Sequence, residues 1–369
     1  MVTIHVPLLE RRDASYDILI GGGLLAELPA LLARHCPAAR YAVITDSRVR
    51  ELYGTQVVER LRGAGLRADL LEFPEGEAHK TRETWAGLSD RMLALELGRD
   101  AGVIALGGGV VGDVAGFVAA TYLRGVPYVQ LPTTLLAMID SSIGGKTGVD
   151  VPAGKNLLGA FHQPRLVVAD TDLLASLPPR QLAAGMAEAV KHGVIADAEY
   201  FGFLEASHRA ALAREPAAIE RLVSRSVEIK AQVVAADERE RGRRAILNFG
   251  HTVGHAIEAA GQFTILHGEA VAMGMACEAR LAEALAIAAP GTARRIHTLL
   301  ERCGLPLERP AGATVDDLLR AMRLDKKARA GTVRFALPTA VGTMCGDDAK
   351  GWTVTAPERT VREALGGGA

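Results

Sequence analysis

Cysteine is scarce in this chain. Cys36, Cys277, Cys303 and Cys345 are the only four, widely separated and without a CxxC spacing. That pattern fits neither a zinc ribbon nor a secreted disulfide framework, so reduced and mostly buried thiols are expected. Net charge is also lacking: 42 Lys and Arg against 43 Asp and Glu leave −1, and no overall field draws the chain onto nucleic acid or a membrane surface. Long apolar runs are missing, since Gly, Pro or charge interrupts each before membrane-spanning length. The opening Met-Val-Thr-Ile-His-Val-Pro carries no basic segment leading into an apolar one, so a cytoplasmic location is expected. Aromatic residues are only 4%, yet 49% apolar and 23% charged residues exclude a disordered chain. No internal repeat is visible, and the one low-complexity tract is the terminal Gly-Gly-Gly stretch.

At 369 residues the chain exceeds the usual size of one core, and two domains are expected. Short β-branched runs alternate with helical-period stretches up to about residue 170, the pattern of a parallel α/β sheet. Tyr41–Thr45, Val103–Leu106, Tyr128–Leu131 and Leu166–Ala169 are the clearest strands. After Leu177-Pro178-Pro179, Ala/Glu/Arg-rich segments of period 3.6 dominate from Gln181 to Leu324. The expected division is therefore an α/β domain over 1–177 and a mostly helical domain over 178–369. Val333–Leu337 reads as a late strand or hairpin edge.

Gly107-Gly-Gly-Val-Val-Gly-Asp113 lies between the Val103–Leu106 strand and a helix expected over Val114–Ala120. Glycines admit a close phosphate, and the N–H groups at a helix start favour an anion, so a pyrophosphate site is one reading and a tight packed turn is the other. Leu131-Pro-Thr-Thr134 stands where a dinucleotide fingerprint places its acidic residue. Asp46, Glu77 or Lys80 could supply the polar contacts, unless each is a helix cap or loop charge. His251 and His255 are four apart, on one face if helical, and His267 follows sixteen residues after His251. Thr252 occupies the place of a metalloprotease's glutamate, which excludes peptidase chemistry. Glu188 in Gly185-Met-Ala-Glu188 could complete a two-nitrogen, one-oxygen metal site, the alternative being ordinary hydrogen-bonded histidines. The segment 138–156, with Asp140, Lys146, Lys155 and Asn156 among glycines, reads as a loop holding a phosphorylated ligand or as a solvated linker.

Taken in order, Gly107–Asp113, Pro132-Thr-Thr-Leu-Leu136, Asp140-Ser-Ser-Ile-Gly-Gly-Lys146, Gly154-Lys-Asn156, Gly185–Glu188, Asn248–His255 and His267-Gly-Glu-Ala closely resemble the 3-dehydroquinate synthases over almost the whole chain. The resemblance implies a Rossmann-like NAD-binding α/β N-terminal domain, a mostly α-helical metal-binding C-terminal domain and an active site in the cleft between them. It implies conversion of 3-deoxy-D-arabino-heptulosonate 7-phosphate to 3-dehydroquinate and phosphate in the shikimate pathway, with NAD regenerated in each turnover and Zn²⁺ or Co²⁺ as the metal. By this likeness Glu188, His251 and His267 hold the metal. NAD is surrounded by Asp46, Glu75, Gly76, Glu77, Ala78, His79, Lys80, Gly109, Val110, Val111, Gly112, Asp113, Thr133, Thr134, Lys146, Lys155, Leu173, Leu174, Ala175 and Ser176. Lys146, Asn156, Asn248 and His255 face the substrate phosphate with Lys191 nearby, Lys230 and Arg244 face its carboxylate, and Asp140 positions hydroxyls. Lys326 or Lys327 joins them, and Arg124 reaches a neighbouring subunit's site, which implies a homodimer. Gln181 and Asp150 depart from the Glu and Asn common in the family. Competing readings are another sugar-phosphate cyclase such as a 2-deoxy-scyllo-inosose synthase, a metal-dependent polyol or alcohol dehydrogenase, and a silent NAD-binding sensor.

Overall fold

The computed structural model describes residues 13–261, 265–310, 312–324 and 332–366. Lys326 and Lys327 lie outside the described residues. In chain order the first strands are β1 (Asp17–Gly21), β2 (Arg40–Asp46), β3 (Ala68–Phe73), β4 (Ala101–Gly107), β5 (Tyr128–Pro132), β6 (Lys146–Val151), β7 (Gly154–Phe161) and β8 (Leu166–Asp170). Six of them form one parallel sheet in the order β1-β8-β5-β4-β2-β3. Successive side chains of a strand face opposite sides, and here both sides are covered. Ile104 and Leu106 pack with Leu28, Leu32, Val58 and Leu61 on one side, while Val103 and Ala105 pack with Leu88, Met92, Val114 and Val118 on the other. Such strands read as continuous apolar runs, which is why the four clearest were visible in the sequence, each extended here by one or a few residues.

The chain runs outward from β2 to β3 and then returns to place β4 on the other flank of β2. The carboxyl ends of β2 and β4 therefore flank a topological switch point, the ordinary location of a ligand crevice in an open α/β sheet. Asp46 ends β2, Gly107 ends β4, and the helix Gly109–Thr121 begins directly after Gly108, earlier than the Val114 start expected.

Segment 138–156 differs from its expectation as a loop. Residues Ala137–Ser141 form a helical turn, and β6 and β7 pair antiparallel with each other. Lys146 is exposed and Thr147, Gly148 and Val149 are buried, with Thr147 and Val149 on one face, and it is pairing with β7 rather than any alternation of burial that makes this glycine-containing stretch a strand. The late strand expected over Val333–Leu337 is likewise displaced. Phe335, Ala336 and Leu337 are buried in succession, which leaves no alternation, and the hairpin forms beyond them as β9 (Pro338–Ala340) and β10 (Thr343–Met344). Phe335 keeps a single bridge to Val354.

From Pro179 onward the architecture is helical. The helix Pro179–Ala196 opens with proline at its first position, where a missing N–H costs nothing, and is buried from Ala184 through Ile195. Helices Ala198–Leu212, Pro216–Ala236 and His267–Ala284 pack around it. Close approach of His251–Ala260 to His267–Ala284 needs glycine: a Cβ on Gly274 would overlap the carbonyl oxygen of Gly250, and one on Gly254 would press on the backbone of Ala270. The two first residues of these helices are His251 and His267. We expect Gly274→Ala to destabilise the protein by ~2 kcal/mol or more through overpacking and to lower its metal content, measured by denaturant midpoint and metal analysis.

Candidate active site

Glu188 projects from the middle of the buried Pro179–Ala196 helix and is wholly inaccessible. A carboxylate so placed must be matched by positive charge. Lys191, one turn along the same helix, makes a close ion pair with its Oε2, and the Nε2 atoms of His251 and His267 stand 3.5 and 3.6 Å from its Oε1. Burial pushes the Glu188 carboxyl up, but Lys191 and the two histidines more than offset this and hold it far below its ordinary range. His251 is held neutral by burial and by Lys191. Burial also disfavours a charged His267, yet Glu188 and Glu258 on either side of it raise its pKa to about 10.

Two ligands ~2.05 Å from a tetrahedral zinc lie about 3.4 Å apart. The spacings of both histidines from Glu188 match that value, and ligand atoms of all three residues lie within 4.8 Å of one another. Among the described residues neither Glu188 oxygen has a regular hydrogen-bond partner. This two-nitrogen, one-oxygen set fits Zn²⁺ or Co²⁺ with a position left for substrate. His255 completes an imidazole cluster, 5.4 Å from the His251 ring and 6.2 Å from the His267 ring.

Around this centre the polar side chains form two linked groups. On one side, Asp140 accepts from Lys230 Nζ at 2.7 Å, while Lys191 Nζ lies 3.6 Å from the same oxygen. Burial acts against the charge on Asp140, but Lys230 and Lys191 hold it well below its usual value. Lys230 is lowered to about 8 by burial, with Lys191 and Arg244 adding repulsion against the pull of Asp140. His192, fully buried beside Asp140, is kept neutral by burial, with a pKa of about 3. On the other side, Lys155 Nζ reaches Glu258 Oε1 at 3.2 Å and Glu77 at 3.3 Å, and Glu258 Oε1 lies 3.4 Å from His267 Nδ1. An ionic chain thus runs from the turn Glu77–His79 of the sheet domain to the histidines.

Toward the sheet, Lys80 donates 2.6 Å bonds to Asp113 and to Asn156. Burial alone would lower Lys80, but Asp113 and Glu77 outweigh it and raise its pKa. Asp113 is the fifth residue of the helix that follows the glycines, just past its first turn, and Thr133 N–H donates to Gly107 O at 2.9 Å, so the strand-to-helix turn is braced from the adjacent strand end. A Cβ on Gly109 would lie 3.1 Å from Ser141 Oγ. Glycines therefore keep the backbone clear at the crevice between β2 and β4. Asp46 caps the next helical turn by accepting from Val49 N–H at 2.8 Å, so the capping alternative holds for it at the same crevice. Asp150 accepts from Asn156 N–H at 2.7 Å.

Other expected residues distribute as follows. Asn156, expected toward phosphate, stands in the Lys80–Asp113 group. Lys146 and Asn248 meet through Glu240, whose carboxylate pairs closely with Lys146 and accepts from Asn248 at 2.6 Å. Leu173, Leu174, Ala175 and Ser176 form a turn after β8, tied to Tyr53, whose hydroxyl donates to Leu173 O at 3.1 Å and lies 2.7 Å from Ser176 Oγ. Arg124 is exposed in a turn in which Leu123 and Arg124 both have positive φ, 49° and 72°. Glu240 and Glu258 were not singled out as functional in the sequence. Glu258 could have been found, since it lies seven residues after His251 and so on the same helix face. Glu240 carries no such signal.

Family models for the N-terminal and C-terminal regions of 3-dehydroquinate synthase match residues 70–184 and 185–328. A 3-dehydroquinate synthase of Symbiobacterium thermophilum is 53% identical over 90% of this chain and 94% of that protein. The chain belongs to the 3-dehydroquinate synthase family. Among solved structures, a 2-deoxy-scyllo-inosose synthase complexed with carbaglucose-6-phosphate, NAD⁺ and Co²⁺ is similar with TM-score 0.88 and 30% identity, covering 96% of this chain and 97% of that one. A 2-epi-5-epi-valiolone synthase of Streptomyces hygroscopicus with NAD⁺ and Zn²⁺ bound has TM-score 0.88 and 33% identity, with 98% of each chain covered. Their synthase fold is the one described above.

Two outcomes are expected. His267→Ala should remain folded yet lose most of its bound zinc, measured by metal analysis after dialysis; a variant that stays both metal-replete and active removes His267 from the ligand set. Because Lys230 loses its proton above about pH 8, kcat/KM should decline on the alkaline side of that value, and Lys230→Arg should flatten the decline, as read from pH–rate profiles.

Proposed function

We infer that this chain converts 3-deoxy-D-arabino-heptulosonate 7-phosphate to 3-dehydroquinate and inorganic phosphate, as an NAD- and metal-dependent lyase. The observation carrying this reading is that the Glu188–His251–His267 set and the cations Lys191 and Lys230 meet in one buried network around Asp140. A simple polyol dehydrogenase has no use for so many anion-directed cations. A cyclase acting on a hexose phosphate has no carboxylate for Lys230 and Arg244 to meet.

In this reading residues 1–177 bind NAD and residues 178–369 hold metal and substrate. Glu188, His251 and His267 hold the divalent ion, while the glycine turn, Lys80, Asp113, Thr133, Thr134 and Lys155 line the NAD crevice. When bound, the ion acidifies a substrate hydroxyl and NAD⁺ takes up and returns a hydride. Asp140, fixed by Lys230, orients the sugar hydroxyls. Lys146, Asn248 and His255, with Lys191 nearby, take the phosphate end, so that the dianion is oriented for β-elimination and can itself receive the proton released. Lys230 and Arg244 take the carboxylate. The buried walls keep water from the reactive ketone and from the ring-opened intermediate until its intramolecular aldol closure. Lys155 links the two halves of the site through Glu77 and Glu258, so its removal is read as a loss of alignment as well as charge.

We further propose that the protein works as a cytoplasmic homodimer. Three buried thiols and one half-buried thiol, all free, support a reducing compartment. The exposed Arg124, presented on a turn where Leu123 and Arg124 both take the left-handed φ uncommon for non-glycine residues, supports a role for Arg124 beyond its own subunit. Among the described residues no helix is long and apolar enough to cross a membrane.

The test is phosphate release from 3-deoxy-D-arabino-heptulosonate 7-phosphate with catalytic NAD, with and without chelator, while absorbance follows NADH. Chelator-sensitive phosphate release without net NADH is expected. NADH accumulation on simple polyols without phosphate release would assign the chain to the metal-dependent dehydrogenases instead. Lys155→Ala should abolish turnover while leaving the thermal midpoint near that of the parent.

A further inference from the structure

Arg244 is 2% exposed, yet the hydrogen-bond acceptors of its guanidinium are neutral carbonyls. Nη1 donates to Glu238 O, and Nη2 donates to Gly144 O at 3.2 Å. Nε is buried and has no partner among the described residues. A guanidinium clamped by two carbonyls through two of its five N–H groups, with the Nε–H unspent, keeps its charge and N–H capacity for an incoming anion.

Half of that clamp is itself held. Gly144 has φ +96°, a conformation natural to glycine, and a Cβ there would run into the Arg244 guanidinium. The Gly144 N–H donates to the hydroxyl oxygen of Tyr16 at 3.0 Å, across 128 positions of sequence. Tyr16 immediately precedes β1, the edge strand of the sheet, so the hydroxyl is delivered by the sheet domain to the start of the β6 hairpin. Gly144 is thus fixed at both ends, by Tyr16 on its N–H and by Arg244 on its C=O.

We propose that Tyr16 is a positioning residue that aims Arg244 at the carboxylate of the sugar-acid substrate, acting through Gly144. This rests on the reading above that Arg244 faces the carboxylate. Removing the hydroxyl leaves the Gly144 N–H without its acceptor and releases one side of the clamp. The phosphate-directed groups Lys146 and Asn248 are held by Glu240 rather than by Tyr16. A loss confined to the carboxylate end is therefore the signature of this role, which a general packing defect would not produce.

The experiment uses the NAD- and zinc-loaded enzyme. Tyr16→Phe should raise KM for 3-deoxy-D-arabino-heptulosonate 7-phosphate about tenfold, the effect of losing one hydrogen bond's worth of alignment, with kcat within about twofold and inhibition by inorganic phosphate unchanged. In an Arg244→Ala background the same substitution should add nothing. An unchanged KM in Tyr16→Phe, or an equal effect with and without Arg244, overturns the proposal while leaving the Arg244 reading intact. An unchanged KM in Arg244→Ala overturns that reading and the proposal with it. Should Tyr16→Phe fold poorly, Gly144→Ala displaces the same guanidinium from the other side and must raise KM likewise; no rise overturns the proposal.

Discussion

The site is organised by one constraint, the burial of the Glu188 charge. A carboxylate with no access to solvent is tolerated only when cations close on it. In this protein Lys191 from the same helix and His267 from the start of another supply that charge, and His251, the first residue of a third, adds a neutral imidazole. Because each of these partners makes a further contact, the requirement propagates. His267 turns its second nitrogen to Glu258, Glu258 meets Lys155, and Lys155 meets Glu77 on the sheet domain. Lys191 approaches Asp140, which Lys230 holds. Electrostatic matching therefore runs through the whole cleft, and pairwise removal of its members will not be additive.

Packing supplies the precision that charge alone lacks. The histidine-bearing helices start at the right separation because Gly250, Gly254 and Gly274 let their backbones approach within contact. The sheet makes a parallel contribution: its reversal between β2 and β4 opens a crevice, and the glycine turn, Asp46 and the Lys80–Asp113 pair gather around it. The crevice at the sheet and the Glu188–histidine cluster stand on either side of the cleft, and the β6–β7 hairpin is the bridge. It carries Lys146, Lys155 and Asn156 between the two halves.

Legibility of these features in the sequence followed the range of the forces involved. The sheet strands announced themselves because burial on both faces leaves unbroken apolar runs such as Val103–Leu106. The helical half was plain from its 3.6-residue period. The hairpin was hidden, since its glycines and lysines mimic a loop and only pairing across the turn reveals that Thr147 and Val149 share a buried face. The stretch 335–337 misled in the opposite direction, being β-like in composition but buried in succession.

By itself the sequence determined the two-part architecture, the chemistry on offer and the family, because periodicity, the glycine turn, the histidine spacing and the lysine-rich segment are local properties of the chain. Tertiary structure alone decided which charges meet. Glu240 joins Lys146 to Asn248, Glu258 joins His267 to Lys155, and Tyr16 reaches Gly144 across 128 residues. Pairings of this kind depend on where remote segments are brought by the fold, and no local pattern encodes the distance between two side chains that meet only after the domains have packed.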